Sequence, residues 1–427
     1  MRRACLVISI FFITSWAWAT NPFVLLLGSW GNLAGETETA LAAAVNPGQG
    51  HLNLISAPNG PGSQELTLNF YSGPAVLAFS KPTGISGTFV SGQLGVSPNG
   101  SMYVLGQSTT GTNRRLTLAC VTPTGIIKWS RQLFASTTQL VRGYISVDSS
   151  DSVVVAYATG ISPNLTVTVM RLKESNGGTL WTRNLSSSQN PSSLMVGAGV
   201  AVLPALAGTS PAFTTRVRGL KLTNGSLAFD KSYDAAQVGR VTSGGFNPVS
   251  QRFDLVGNSS SPEPSYVYSL NSAGDLKWVS ALPDSVTQFP VHDGSGRIYT
   301  LSATSTTSYT MVCHSPTGEL LYQTAVPNLN AVLVPSTYGV TSDGVCYLMH
   351  EQIVNNQEVL HITEFSPTGQ LNWQSSAPAP WAASGLTGIM TAVLPPSPET
   401  GGTLYMTATI TESGPGRDVG NFYYGSP

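Results

Sequence analysis

Leu116-Thr117-Leu118-Ala119-Cys120-Val121-Thr122-Pro123-Thr124-Gly125-Ile126-Ile127-Lys128-Trp129 reads as an alternating strand, a tight turn and the start of a second strand. Ser315-Pro316-Thr317-Gly318 and Ser366-Pro367-Thr368-Gly369 repeat the turn almost letter for letter. An aromatic follows each of these glycines by four places. The spacing recurs at Gly125 with Trp129, Gly177 with Trp181, Gly225 with Phe229, Gly274 with Trp278, Gly318 with Tyr322, Gly369 with Trp373, and Gly420 with Tyr424. Proline presets the backbone at the second turn position, and glycine supplies the positive φ of a type II turn. Each copy is therefore a hairpin.

A second turn cluster precedes each of these hairpins. Ser97-Pro98-Asn99-Gly100, Asp293-Gly294-Ser295-Gly296, Thr341-Ser342-Asp343-Gly344 and Pro398 to Gly402 each lead into a short β-branched or aromatic run. Tyr103, Tyr299, Tyr347 and Tyr405 stand three places after the glycine, and Asn53, Val154, Val202 and Asp254 fill that slot in weaker copies. Two hairpins per period give four strands per period, and the period is about fifty residues, within the range of propeller blades. The expected fold is all-β: a single β-propeller of four-stranded antiparallel blades. The aromatic four places after the turn is expected to pack between adjacent sheets.

The first cluster marks units at Gly50, Gly100, Asp151, Gly199, Gln251, Gly296, Gly344 and Gly402, which favours eight blades. The glycine–aromatic mark reaches the same number if Gly73 with Leu77 is a degenerate first copy. Merging the first and last units gives the seven-bladed alternative. The chain stops at Pro427, just after the last aromatic, so the final unit lacks a full outer strand. Pro22 to Gly28 reads as an unassigned strand, and residues 20–30 are expected to complete the last blade of a single domain over 20–427.

Arg2 and Arg3, the apolar run Leu6 to Ile13 and the A-x-A site Ala17-Trp18-Ala19 read as a secretion signal over 1–19. No stretch is long and apolar enough to span a bilayer as a helix. Only 10% of residues are charged and the net charge is −1. That balance argues against a nucleic-acid partner, which demands a basic stripe. Export implies a periplasmic, extracellular or cell-surface protein, expected to be a monomer. Beyond the signal lie Cys120, Cys313 and Cys346, read as small buried hydrophobes; Cys313 with Cys346 is the one pair placed for a possible bridge.

The forms Pro-Thr-Gly-x-x-x-Trp and Asp-x-x-Gly-x-x-Tyr alternate over residues 38–424. They resemble the repeats of the quinoprotein dehydrogenase-like propellers and the bacterial exported propeller repeats similar to them. The resemblance implies the fold. The enzymes of that superfamily bind pyrroloquinoline quinone with calcium, using adjacent cysteines, an acid and amide calcium set and an Asp base. This sequence has no adjacent cysteines, and no such motif maps onto its residues, so no cofactor, metal or catalytic residue carries over.

The five histidines, His51, His292, His314, His350 and His361, form no zinc motif. His350-Glu351 reads as a loop after a strand. Asp148-Ser-Ser-Asp151 and Asp293-Gly-Ser-Gly296 read as turns capped by Asp, since neither supplies the oxygens of a calcium loop. Ala40 to Ala44 is helix-prone but short. Together these features point to an exported, non-enzymatic propeller that binds a protein or a glycan, or serves as a scaffold, at the envelope. The competing expectation is an enzyme on the same fold, either a quinone–calcium oxidoreductase or a carbohydrate-active hydrolase or lyase.

Overall fold

The structure, a computed structural model, describes residues 28–30, 39–46, 50–73, 76–137, 142–161, 164–187, 189–209, 212–258, 264–283, 285–286, 289–305, 308–326, 337–354, 357–378, 386–393, 403–411 and 417–425. The secretion signal, the start of the amino-terminal strand and Gly402 lie outside them. Nearly every element is an antiparallel strand; the one helix among the described residues is Ala235–Val238.

The strands form eight sheets. Seven are four-stranded. In the sixth, the first strand is in two pieces, Ser285–Val286 and Val291–His292, which pair the same neighbour, Ile298–Ser305. The first seven sheets run in chain order, the second being Phe89–Val96, Met102–Thr110, Asn113–Val121 and Ile127–Ser136. The eighth joins the two ends of the chain. Leu386–Val393, Thr403–Thr411 and Arg417–Gly425 are followed at the edge by Gly28–Trp30, with Gly28 opposite Asn421 and Trp30 opposite Val419.

Period-two burial explains why sheets stack. In the third sheet, Val153, Val155 and Tyr157 pack with Tyr103, Leu105, Leu116 and Leu118 of the second. The alternate residues Val154, Ala156 and Ala158 pack with Leu194, Val196, Ala201 and Leu203 of the fourth. One strand thus serves two cores, because successive side chains leave opposite faces of the pleat. Val202, Val217 and Phe229 repeat the arrangement against Phe253, Leu255 and Tyr268 of the fifth sheet.

Contacts fall into two units, residues 1–94, 330–367 and 371–427, and residues 95–329 with 368–370. In the first unit, Leu386–Val393 lies beside Thr39–Asn46 on one side and Thr337–Val340 on the other, so the first and last sheets of the chain are neighbours. The second unit holds the third to sixth sheets and most of the second.

Several expectations need correction. The Pro-Thr-Gly turns are not type II. Gly125 N–H donates to Thr122 O at 2.9 Å, Thr122 N–H donates to Ile126 O at 2.8 Å, and φ is positive at Gly125 but not at Thr124. This is a three-residue hairpin loop in which glycine follows the turn and takes the left-handed position. Gly420 lies inside Arg417–Gly425, opposite Ala408, so Gly420 and Tyr424 belong to a third strand and are not a turn with its outer strand. In the first sheet, the slot assigned to Leu77 belongs to Phe79. Phe79 faces Phe70 and Leu77 faces Tyr71, with a bulge between, as Trp129 faces Cys120 and Ile127 faces Val121. His350 and Glu351 lie within the strand Cys346–Val354, not in a loop. Ala40 to Ala44 lies in the strand Thr39–Asn46, where sheet pairing overrides helix propensity.

Candidate functional site

The two sequence marks meet across sheets. Trp129 lies against Gly177, Trp181 against Gly225, Phe229 against Gly274, Trp278 against Gly318 and Tyr322 against Gly369. A Cβ on Gly177 would sit 2.8 Å from Trp129 Cε3, and one on Gly225 would sit 2.6 Å from Trp181 Cε3. Each aromatic therefore covers the turn of the following repeat, and that turn has room only for glycine. Trp373 behaves differently: its indole N–H donates to Glu364 Oε2 at 2.8 Å on its own sheet.

Polar bonds reinforce these contacts. The indole N–H of Trp129 donates to Glu174 O at 2.7 Å, that of Trp181 to Leu222 O at 2.7 Å, and that of Trp278 to Pro316 O at 3.1 Å. Two places further along the outer strand, Arg131 Nη1 donates to Gly177 O and Thr324 Oγ1 donates to Gly369 O, both at 2.8 Å. Glu174 also accepts from Lys128 at 2.6 Å and Ser101 at 3.0 Å; the Lys128 bond is the main reason its carboxyl is held below the usual carboxylate range.

The other turns carry their own capping. Asp148 Oδ1 accepts from the Ser150 and Ser152 amides, and Asp293 Oδ1 from those of Ser295 and Arg297. Burial alone would raise the Asp293 carboxyl; bonds from Ser295, Arg297 and Tyr299 outweigh it and hold the group low. Tyr103, fully buried, donates its hydroxyl to Asp151 O at 2.7 Å across the sheet gap. Asp151 and Gln251 take the left-handed conformation that glycine takes at Gly100, Gly199, Gly296 and Gly344.

The fifth sheet departs from the pattern. Asp254 fills the tyrosine slot, is buried, and its Oδ2 lies 2.9 Å from His292 Nε2 and 3.2 Å from Asn247 Nδ2. Asn247 Nδ2 also donates to Gly296 O at 2.8 Å, crossing to the sixth sheet much as Tyr103 crosses to the third. The pair is a carboxylate-held imidazole between sheets. His314 is fully buried, with Nε2 3.0 Å from Ser280 Oγ and its ring stacked on Trp278. Burial lowers His314 to about 4 and His51 to about 3. Cys120, Cys313 and Cys346 are free and buried, so Cys313 and Cys346 are not bridged; burial pushes the Cys120 and Cys313 thiols up to about 12. Among the described residues, no three His, Cys, Asp or Glu side chains gather as metal ligands, and no helix is long and apolar enough to cross a membrane.

No protein-family model matches the chain, and no curated protein matches it by sequence. Solved structures do. The chain is similar to the Dos1 propeller at 10% identity, with 93% of this chain and 95% of that one covered and a TM-score of 0.55. It is similar to the WD40 domain of SCAP from fission yeast at 11% identity, covering 94% and 98%, with a TM-score of 0.55. The fold is a β-propeller. The β-propeller domain of the Trilobed protease from Pyrococcus furiosus, which has an open velcro topology, is also similar, at 8% identity, covering 81% and 96%, with a TM-score of 0.50. Identities this low establish the architecture alone.

Among the described residues the two ends of the sheets differ. The turns between first and second strands, and between third and fourth, lie at one end; most are three-residue loops, such as Thr122–Ile126 and Asp293–Arg297, whereas Lys173–Gly178 and Lys221–Ser226 enclose four residues and Gly197–Val200 two. Connections at the other end differ in length. Between second and third strands they range from residues 111–112 to residues 259–264; between blades they include 137–141, 188–194 and 235–239. Ile161, 78% exposed, ends the second strand of the third blade at this second end.

Proposed function

We propose that the chain is an exported, monomeric propeller that works as a non-enzymatic binding or scaffold module for a protein or glycan at the cell envelope. We place it among the quinoprotein-like repeat propellers. The amino-terminal signal and the low charge support export and a ligand held by hydrogen bonds and apolar contact. The alternating turn forms support the kinship.

The observation that carries the binding role is that, among the described residues, the turns at one end of the sheets are tied to the neighbouring blade, while the connections at the other end differ widely in length. Recognition is concentrated on loops held by a rigid scaffold, because loop sequence changes there without disturbing the core. The turn end carries the described ties between blades. The other end presents connections of unequal length, beside the exposed Ile161.

The test is binding of the mature chain to an envelope glycan array and to purified envelope proteins, compared with Ile161→Ser, Thr112→Glu and replacement of the exposed residues 236–237 by glycine and serine. The expected result is at least one variant with weakened binding and an unchanged melting temperature. Binding insensitive to all three but lost on surface substitutions at Thr124 and Thr317 would reverse the assignment of the ends. Turnover of a sugar or alcohol substrate would replace the binding role with catalysis.

A further inference from the structure

Arg218 lies on the third strand of the fourth blade, Ala212–Lys221, on the face turned toward the third blade. It is 2% exposed. Its Nη1 donates to Ser186 O, on the outer strand of the third blade, at 2.6 Å. Nε and Nη2 are buried and have no hydrogen-bond partner among the described residues. These two nitrogens form the side-on edge of the guanidinium, the fork that grips an anion with two parallel N–H bonds.

Arg216, two places earlier on the same face, shows that edge in use. Its Nε and Nη2 donate to Asp230 Oδ1 and Oδ2 at 2.7 and 2.6 Å. Asp230 stands opposite Arg218 in the strand register, yet its oxygens are turned to Arg216. One carboxylate is thus shared between two guanidiniums, and the closer pairing goes to the more exposed one. Burial and the neighbouring Arg216 both work against the charged form of Arg218, with Asp230 offsetting them in part. An arginine does not shed its proton within the range where proteins are stable. A buried cation lacking close compensation is strongly unfavourable, and truncating one partner of a buried pair usually costs several kcal/mol.

We propose that the Nε–Nη2 edge of Arg218 binds a small monovalent anion, chloride under physiological conditions, enclosed between the third and fourth blades. The site is self-consistent in charge: two guanidiniums, one carboxylate and one halide sum to neutrality. The enclosure selects a small ion, since a residue this buried leaves no open path for a carboxylate-bearing ligand. The ion enters during folding or a local opening of the blade interface, and it ties the fourth blade to the third through the same side chain that reaches Ser186 O.

The test is thermal unfolding of the mature chain in potassium chloride, potassium bromide and potassium gluconate at equal ionic strength, for wild type, Arg218→Met and Arg218→Lys. Wild type should melt about 2–5 °C higher in chloride or bromide than in gluconate, with a saturable dependence on halide. The Met variant should lose that dependence whether it melts higher or lower overall. The Lys variant keeps the charge but not the fork and should retain only a weak dependence. Crystals grown in bromide should show an anomalous peak on the Nε–Nη2 edge. Equal melting temperatures in all three salts, a halide effect that survives in Arg218→Met, or a water with no anomalous signal at that edge would overturn the proposal. If neither variant folds, the wild-type halide curve and the bromide peak decide the matter alone.

Discussion

Trp181 of the third blade covers Gly225 of the fourth, and its indole N–H donates at 2.7 Å to Leu222 O, in the strand-to-strand turn that ends at that glycine. One residue thus supplies apolar contact, a directed bond and a steric demand at one junction. The same contact recurs along the second unit, so each blade is held by a side chain of the one before it.

Gly225 carries two constraints, a φ of +70° and a ring where a Cβ would stand. Gly225→Ala should destabilise by about 2–4 kcal/mol, combining left-handed strain with overpacking. Gly111 has a φ of +57° with nothing within 4 Å, so Gly111→Ala should cost only about 1 kcal/mol. Equilibrium denaturation of the two variants checks the difference; equal losses would show that the ring contact adds nothing.

Trp181→Ala should cost about 3–5 kcal/mol, as for other buried tryptophans. Trp181→Phe keeps the ring against Gly225 and loses the N–H bond. Leu222 O retains its 2.8 Å bond from Arg171 Nη1, so the Phe variant should lose only about 1 kcal/mol. A Phe variant as unstable as the Ala variant would contradict this division.

Acid should weaken the fold before carboxylates titrate. His314 in the folded state ionises near 4, below the 6.5 of an exposed histidine, because burial disfavours its charge. Above pH 6.5 both states are neutral there and the stability is intact. As pH falls from 6.5 to about 4 the unfolded chain takes up a proton that the folded chain refuses, so stability is lost by an amount on the order of 3 kcal/mol. His51, lowered to about 3, adds in the same direction over a wider window. Denaturation midpoints between pH 4 and 7 should rise with pH, with a shallower slope in His314→Phe; an unaltered slope would remove His314 from the account.

Gly28–Trp30 is the outer strand of the eighth blade, paired with the carboxy-terminal strand. Deleting residues 20–30 should expose the edge of Arg417–Gly425 and lower the melting temperature by about 5 °C or more, since the chain ends are then no longer joined. A melting curve identical to that of the intact mature chain would mean that this pairing does not hold the blade.

Gln251 occupies a turn position at φ +54° that glycine fills elsewhere. Relief of left-handed strain should exceed the entropic disadvantage of glycine, even with loss of the Gln251 Nε2 bond to Pro248 O. Gln251→Gly is expected to be about 0.5 kcal/mol more stable by urea titration. A destabilised variant would show that the side-chain bond dominates.

Repeat spacing made the architecture legible. The positions of Gly125, Gly177, Gly225, Gly274, Gly318 and Gly369, and the odd members Asp151 and Gln251, were readable because each sits at a turn that only a left-handed residue can make. The slot of Phe79 was hidden: a bulge shifts the pairing by one, and a bulge leaves no mark in spacing when the turn residues are atypical. Gly420 misled for the opposite reason, because spacing cannot tell a turn glycine from a strand glycine once the outer strand is supplied by the other chain end.

The sequence by itself determined the unit: four strands between recurring turns, with apolar residues on alternate positions, because local sterics and period-two burial act within a few residues. Only the tertiary structure decided which glycine each aromatic covers, where the carbonyl partners of Trp129 and Trp181 lie, and that Arg218 faces a neighbouring blade with its Nε and Nη2 unpaired among the described residues. Those relationships join residues about thirty to fifty places apart, and such distances are set by how sheets stack, not by any local preference.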